Sequence, residues 1–137
     1  MVDDLHAMVK GWLIKAKHDL ESAYRLADGD DPLLDTAIYH CQQAAEKAIK
    51  GFLVFQGQQF GKTHDIRILI EQAEKDEPGF ALWQEAAARL TPYAAAFRYP
   101  GDVISPDKEE YALALQAAEN LVAYIHSLLP PTLVEGL

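Results

Sequence analysis

The chain has 137 residues and a formal net charge of -9, acids outnumbering bases 21 to 12. That length suits one domain over 1-137 that buries its own core without staples, and the acidic balance argues against a broad nucleic-acid face, so any such contact has to be local. Hydrophobic residues make up 50% of the chain, yet no apolar run approaches the roughly twenty residues that a membrane span needs. Met1-Val2-Asp3-Asp4 is acidic where a secretory signal is basic. The lone Cys41 cannot form an internal disulfide and reads as a small buried hydrophobe, with a reducing cytoplasm as the expected location.

The first predicted helix runs from about Asp4 to Ala27, with Val9, Leu13, Ala16, Leu20, Ala23 and Ala27 on one face and Trp12 and Tyr24 flanking it. Asp28-Gly29-Asp30-Asp31-Pro32 ends it, and Asp31 with Pro32 reads as N-cap and first-turn proline of the next helix. That second helix runs to about Gln56 and carries two stripes at helical spacing. Ile38, Cys41, Ala45, Ala48 or Ile49, Phe52 and Phe55 form an apolar one; Gln42, Gln43, Glu46, Lys47 and Lys50 form a polar one, in which Glu46 precedes Lys50 by one turn. Gly51, costly inside a helix, reads as the mark of a close helix crossing.

Gly57 and Gly61 bound a loop, after which Thr63 is placed to cap a third helix bearing Ile66, Leu69, Ile70 and Ala73, with Asp65 in its first turn. Asp76-Glu77-Pro78-Gly79 breaks the chain, and a fourth segment follows with Leu82, Ala86, Leu90, Tyr93, Ala94 and Phe97, kinked or divided at Pro92. Pro100-Gly101 closes it. Ser105-Pro106-Asp107 reads as cap, first-turn proline and first-turn acid of a last helix through Tyr111, Leu115, Ala118, Val122, Ile125 and Leu129. Pro130-Pro131 stops that helix and leaves a tail, 130-137, with too little pattern to assign. Nothing alternates with period two. The expected fold is therefore all-α: an up-and-down antiparallel bundle of about five helices, its helical core over about 4-129.

In such a bundle the second helix ends, and the third begins, at the pole where the fourth ends and the fifth begins. His64, Arg98 and Tyr99 are then expected as neighbours, with Lys50 about 10 Å down the axis and within reach, and Lys47 one turn further away. Such a pole offers cations and free amides to a phosphate or other anion. The plainer reading is that His64 pins its loop, Arg98 answers the carbonyls ending its helix and Glu46 with Lys50 forms a surface pair.

The run from Tyr39 through Leu53, together with Trp12, Asp19-Leu20, Thr63-His64-Asp65 and Arg98-Tyr99-Pro100, resembles the HEPN family. Its members are small helical proteins associated with nucleotide binding, RNA cleavage and toxin-antitoxin pairs. The resemblance implies a homodimer working beside a separate nucleotidyltransferase, with the polar pole (Lys47, Lys50, His64, Arg98, Tyr99) recognising a nucleotide or RNA phosphate. A homodimer through helix faces is also expected from the number of large rings, among them Trp12, Tyr24, Phe60, Trp83 and Tyr99. Ribonuclease members carry an Arg followed about four to six residues later by a His, a base and a cation acting on the ribose 2′-hydroxyl and the scissile phosphate. Arg98 matches by location, but Val103, Ile104 and Ser105 stand where the His would fall. The alternative is thus a metal-independent endoribonuclease in which Arg98 clamps the phosphate and His64 replaces the missing base.

Other signatures are incomplete. Gly61-Lys62-Thr63 ends like a phosphate loop, but Phe55 or Gln56 stands where its first glycine belongs, and no strand precedes it. No His or Cys pair has metal spacing, and Asp28, Asp30 and Asp31 lack the rest of a calcium loop. No metal and no cofactor is expected.

Overall fold

The periodic apolar faces become the inner faces of helices. The computed structural model describes residues 2–101 and 104–137. Within them lie α1 Val2–Ala27, α2 Leu34–Phe55, α3 Ile66–Glu74, a 3-10 segment Pro78–Trp83, α4 Gln84–Leu90, a second 3-10 segment Thr91–Ala94, α5 Lys108–Leu128 and α6 Pro131–Val134. No strand occurs among the described residues, and the all-α bundle is as the periodicity implies.

α2 is the central element. Its apolar stripe, Ile38, Cys41, Ala45, Ala48, Ile49 and Phe52, is buried, and so are Gln42, Gln43, Glu46 and Lys50 of its polar stripe. A helix covered all round has no solvent face for polar groups, which must then find partners inside the protein. α1 crosses it closely at Gly51, where an added Cβ would lie 3.1 Å from the Trp12 Cβ and 3.5 Å from the Leu13 Cδ2. Gly51 thus marks a tight crossing, as its place in the helix suggests.

Chain direction departs from simple alternation at one connection. α1 and α2 are antiparallel: Leu33 N–H donates to Leu26 O at 2.7 Å across the turn, and His6 reaches Phe55 at the far end. The segment 57–65 does not turn into α3 at the end of α2. It doubles back along the polar stripe, so that Gln42 Nε2 donates to His64 O at 3.0 Å. α3 then runs in the same sense as α2, and its last turn returns to the Gln58 level, where Gln58 Nε2 donates to Gln72 O at 3.0 Å. α4 comes back beside α3, joining Gln84 to Glu74 at one end and Thr91 to Asp65 at the other. α5 starts near the beginning of α2, with the Tyr111 hydroxyl on Ala23 O. It ends near the Phe52 level, where Tyr124 packs on Phe80 and Phe80 on Phe52. The third helix begins, the fourth ends and the fifth begins near a common end, but the second helix starts at that end instead of finishing there.

Element boundaries shift for local reasons. Asp65, not Thr63, is the N-cap of α3 and accepts from the Arg67 N–H, while Thr63 Oγ1 accepts from the Asp65 N–H. Asp107 caps α5 by accepting from the Glu110 N–H, so Ser105 and Pro106 lie outside the helix. α2 begins at Leu34, two residues beyond Pro32; its N-cap position is Leu33, not Asp31, with no side-chain cap bond, and Asp35 lies in its first turn. Pro92, lacking an N–H and clashing with the preceding turn, ends regular helix at Leu90 and opens the second 3-10 segment. The tail contains α6, with Leu133 buried and Lys17 Nζ donating to Gly136 O at 3.3 Å. No helix among the described residues is long and apolar enough to cross a membrane.

Candidate functional site

Two polar clusters lie along α2, and they divide the predicted site residues between them. The first centres on Glu46, whose side chain is 4% exposed. Its carboxylate accepts from Gln42 Nε2 at 3.1 Å, Lys50 Nζ at 3.0 Å and His64 Nδ1 at 3.0 Å. Gln43 Nε2 donates to Gln42 Oε1 at 2.7 Å, extending the chain of hydrogen bonds. The Lys50 ammonium sits between rings, 5.8 Å from the Trp12 centroid and 5.4 Å from that of Phe60, a favourable setting for a cation. Burial alone would push Glu46 up, but the hydrogen bonds from Gln42, Lys50 and His64, with the Lys50 charge, outweigh it and hold the carboxyl below its ordinary range. Glu46 and Lys50, read from sequence as a surface pair, form a buried one, because segment 57–65 lies over them.

The second cluster forms where α1 faces the first half of α2. Asp19, 6% exposed, meets His40 Nδ1 through Oδ1 at 2.7 Å and accepts from Lys47 Nζ through Oδ2 at 2.7 Å. Beside His40, Asp35, Thr36, Tyr39, Phe97 and Arg98 complete the lining of a surface pocket of about 250 Å³. The Arg98 guanidinium carbon lies 4.1 Å from the Tyr39 ring centroid, and Nη1 donates to Ala94 O at 3.0 Å. Ring and carbonyl together hold the guanidinium plane in one orientation. The preceding residue, Phe97, has φ 67, a left-handed conformation that is unfavourable for a bulky side chain. The bend delivers Arg98 to the pocket directly after the 3-10 segment.

His64 and Lys50 therefore belong to the Glu46 cluster, Lys47 to the Asp19 cluster and Arg98 to the pocket on Tyr39. Tyr99 is 63% exposed. His64 and Arg98 share a face of α2 but meet different residues on it: Arg98 meets Tyr39, and His64 meets Gln42 and Glu46, about one to two turns further on. The single pole expected from topology is thus two sites, because the doubled-back loop carries His64 along the helix. Of the positions where the family histidine would fall, Val103 lies outside the described residues, and Ile104 and Ser105 are exposed.

Periodicity and spacing do not single out Asp19, Tyr39 and His40 as site residues. A usable signal is nevertheless present. In an antiparallel hairpin, residues equally far from the turn lie side by side, and Asp19 and His40 each stand seven residues further from the α1-α2 turn than Leu26 and Leu33, which bond across it.

Among the described residues no group of three or more His, Cys, Asp or Glu side chains could hold a metal ion. Cys41 is buried, and burial, reinforced by the Glu119 charge, pushes its thiol up to about 12, far from nucleophilic.

A bundle in which one buried helix carries a Gln-Gln-Ala-Ala-Glu-Lys-Ala-Ile-Lys run defines a class as well as a fold. The HEPN domain model matches residues 9–128, and this chain belongs to the HEPN family. Among solved structures it is similar to TT1696 from Thermus thermophilus, with 30% identity over 88% of this chain and 98% of that one, at a TM-score of 0.73. It is also similar to ST0689, an archaeal HEPN homologue, with 27% identity over 88% of this chain and 96% of that one, at a TM-score of 0.67. No curated protein matches the sequence.

Proposed function

We propose that this protein is a binding and assembly module, a homodimer that works in the cytoplasm beside a separate nucleotidyltransferase and uses the Arg98 pocket to hold a phosphate of a nucleotide or RNA. The observation that carries this reading is the fixed guanidinium of Arg98, stacked at 4.1 Å on Tyr39 in a pocket shared with His40. An oriented guanidinium loses little freedom when it takes a phosphate oxygen pair, and a neighbouring ring can stack on a base. The net charge of -9 favours a small ligand contact over a long nucleic-acid track. For assembly, an apolar groove of about 450 Å³ lined by Leu5, Met8, Trp12, Val54 and Phe60 supports a contact through α1, Met8 being 58% exposed.

The alternative of an endoribonuclease using Arg98 with His64 draws less support, because His64 Nδ1 and O are engaged by Glu46 and Gln42, and not beside Arg98. Calorimetric titration with a nucleoside monophosphate tests the binding reading. Weak binding that declines with salt and disappears in Arg98→Ala is expected. Undiminished binding by that variant contradicts the assignment, and metal-free RNA cleavage lost in both Arg98→Ala and His64→Ala turns the argument toward the enzyme. Light scattering checks assembly: a mass near 15.2 kDa across micromolar concentrations contradicts the dimer.

A further inference from the structure

Resting on the homodimer reading, we infer that a second copy of this chain lays its α1 antiparallel across α1 with the two-fold axis at Gly11, so that Asp4 of each copy meets Lys15 and His18 of the other. Two helical glycines differ in their surroundings. A Cβ added at Gly51 would lie 3.1 Å from the Trp12 Cβ, whereas one added at Gly11 would meet nothing within 4 Å. Glycine weakens a helix interior, so Gly51 has its reason within the fold and Gly11 has none among the described residues. Gly11 is exposed and lines, with Met8, Trp12 and Lys15, an apolar groove of about 360 Å³ on α1. Met8 and Trp12 also line the neighbouring groove of about 450 Å³ that reaches Phe60.

The occupant follows from the charges of this face. Asp4, Gly11 and His18 stand seven residues apart, close to two turns, and so form one line along the helix. Asp4, Lys15 and His18 are exposed, and none has a hydrogen-bond or ion-pair partner among the described residues. Acid therefore stands at one end of the apolar patch and base at the other, each end about 10 Å from Gly11 along the axis. A two-fold axis at Gly11 brings Asp4 level with the partner's His18, one turn from the partner's Lys15, and Met8 level with the partner's Ile14. An isologous contact needs a patch that complements itself, and this one does so in the antiparallel sense alone; parallel helices would set Asp4 against Asp4 and Lys15 against Lys15. The exposed, flexible Met8 then enters the partner's groove between Trp12 and Lys15. With no side chain at the crossing, the two helices approach closely.

Sedimentation velocity on the full chain at low salt, over micromolar concentrations, reads this contact. The wild type should be a dimer. Asp4→Lys and Lys15→Glu should each raise the dimer dissociation constant about tenfold or more, since the two-fold axis makes every reversal act twice. Asp4→Lys makes the chain less acidic, so its loss of affinity is not general repulsion between acidic proteins. The double variant Asp4→Lys/Lys15→Glu restores opposite charges at an unchanged net charge of -9 and should return to within about threefold of the wild type. Gly11→Gln, which adds bulk but no charge at the axis, should weaken the dimer about tenfold. Its circular dichroism should show at least the wild-type helix content, because the new side chain has open space within its own chain. A wild-type mass near 15.2 kDa throughout overturns the homodimer reading and this inference with it. A wild-type dimer that Gly11→Gln or either reversal leaves intact, or whose affinity the double variant fails to restore, overturns the α1 contact and leaves the homodimer standing.

Discussion

The two polar clusters on α2 are built from the same residue types and differ in what remains available to a ligand. Around Glu46 each carboxylate contact is met from within, by Gln42, Lys50 and His64, and the Lys50 ammonium is enclosed by Trp12 and Phe60. Around Asp19 the buried carboxylate holds His40 and Lys47, but the ring of His40 and the fixed guanidinium of Arg98 line an open pocket. A satisfied internal network contributes to the uniqueness of the fold, whereas a network that ends at an open pocket can bind. A carboxylate with a lysine partner on a helix is therefore uninformative about function until the segment lying over it is known.

Substitutions with the largest expected effects probe the closed cluster and the core under it. Phe52→Ala should destabilise by about 3–5 kcal/mol, since the ring is buried against Phe80 and leaves a cavity. Glu46→Ala should cost a similar amount, about 3–5 kcal/mol, because Lys50 is left buried without its counter-charge. Urea melts of the two variants check both; a Glu46→Ala loss below that of an exposed pair would mean that the cluster is not closed. Gly51→Ala comes next at about 1–3 kcal/mol, the usual cost of overpacking, because the new methyl meets the Trp12 Cβ at the α1 crossing. Lys47→Ala belongs at the small end, about 1 kcal/mol or less, as expected for a pair with a partly exposed lysine.

The closed cluster also predicts a direction with pH. The folded pKa of Glu46 is lowered, so its contribution is fully present above the unfolded carboxyl value of about 4.3 and is lost as pH falls through the lower folded value. Stability measured from pH 5 downward should decline less steeply in Glu46→Gln than in the wild type. Equal slopes would remove Glu46 from the acid limb.

The all-α architecture is legible in the sequence because the stripe from Ile38 to Phe52 repeats at helical spacing and the breaks at Asp28-Gly29, Pro78-Gly79 and Pro130-Pro131 are chemically explicit. The relative position of His64 and Arg98 is not. It depends on whether the segment after Gln56 turns at once or runs back over α2, and periodicity says nothing about the path of a loop. The same gap hides the burial of Glu46 and Lys50, which have the spacing of an exposed pair. The ring count overstates the exposed aromatic surface: Phe52, Phe80 and Tyr111 are buried, and Trp12, Phe60 and Trp83 are half-buried. Tyr24 and Tyr99 are exposed. Asp19 with His40 can be paired from the hairpin geometry of α1 and α2, and the pocket they help to define needs the position of Arg98 as well.

The most direct test of the division between the two clusters measures melting and adenosine 3′-monophosphate binding together in Arg98→Ala and Lys50→Met. Arg98→Ala should lose binding and keep its stability within about 1 kcal/mol, the worth of an exposed stack of cation on ring. Lys50→Met should melt earlier and still bind with nearly wild-type affinity. Binding lost in Lys50→Met and retained in Arg98→Ala, at unchanged fold, would put the ligand at the Glu46 cluster and contradict the account.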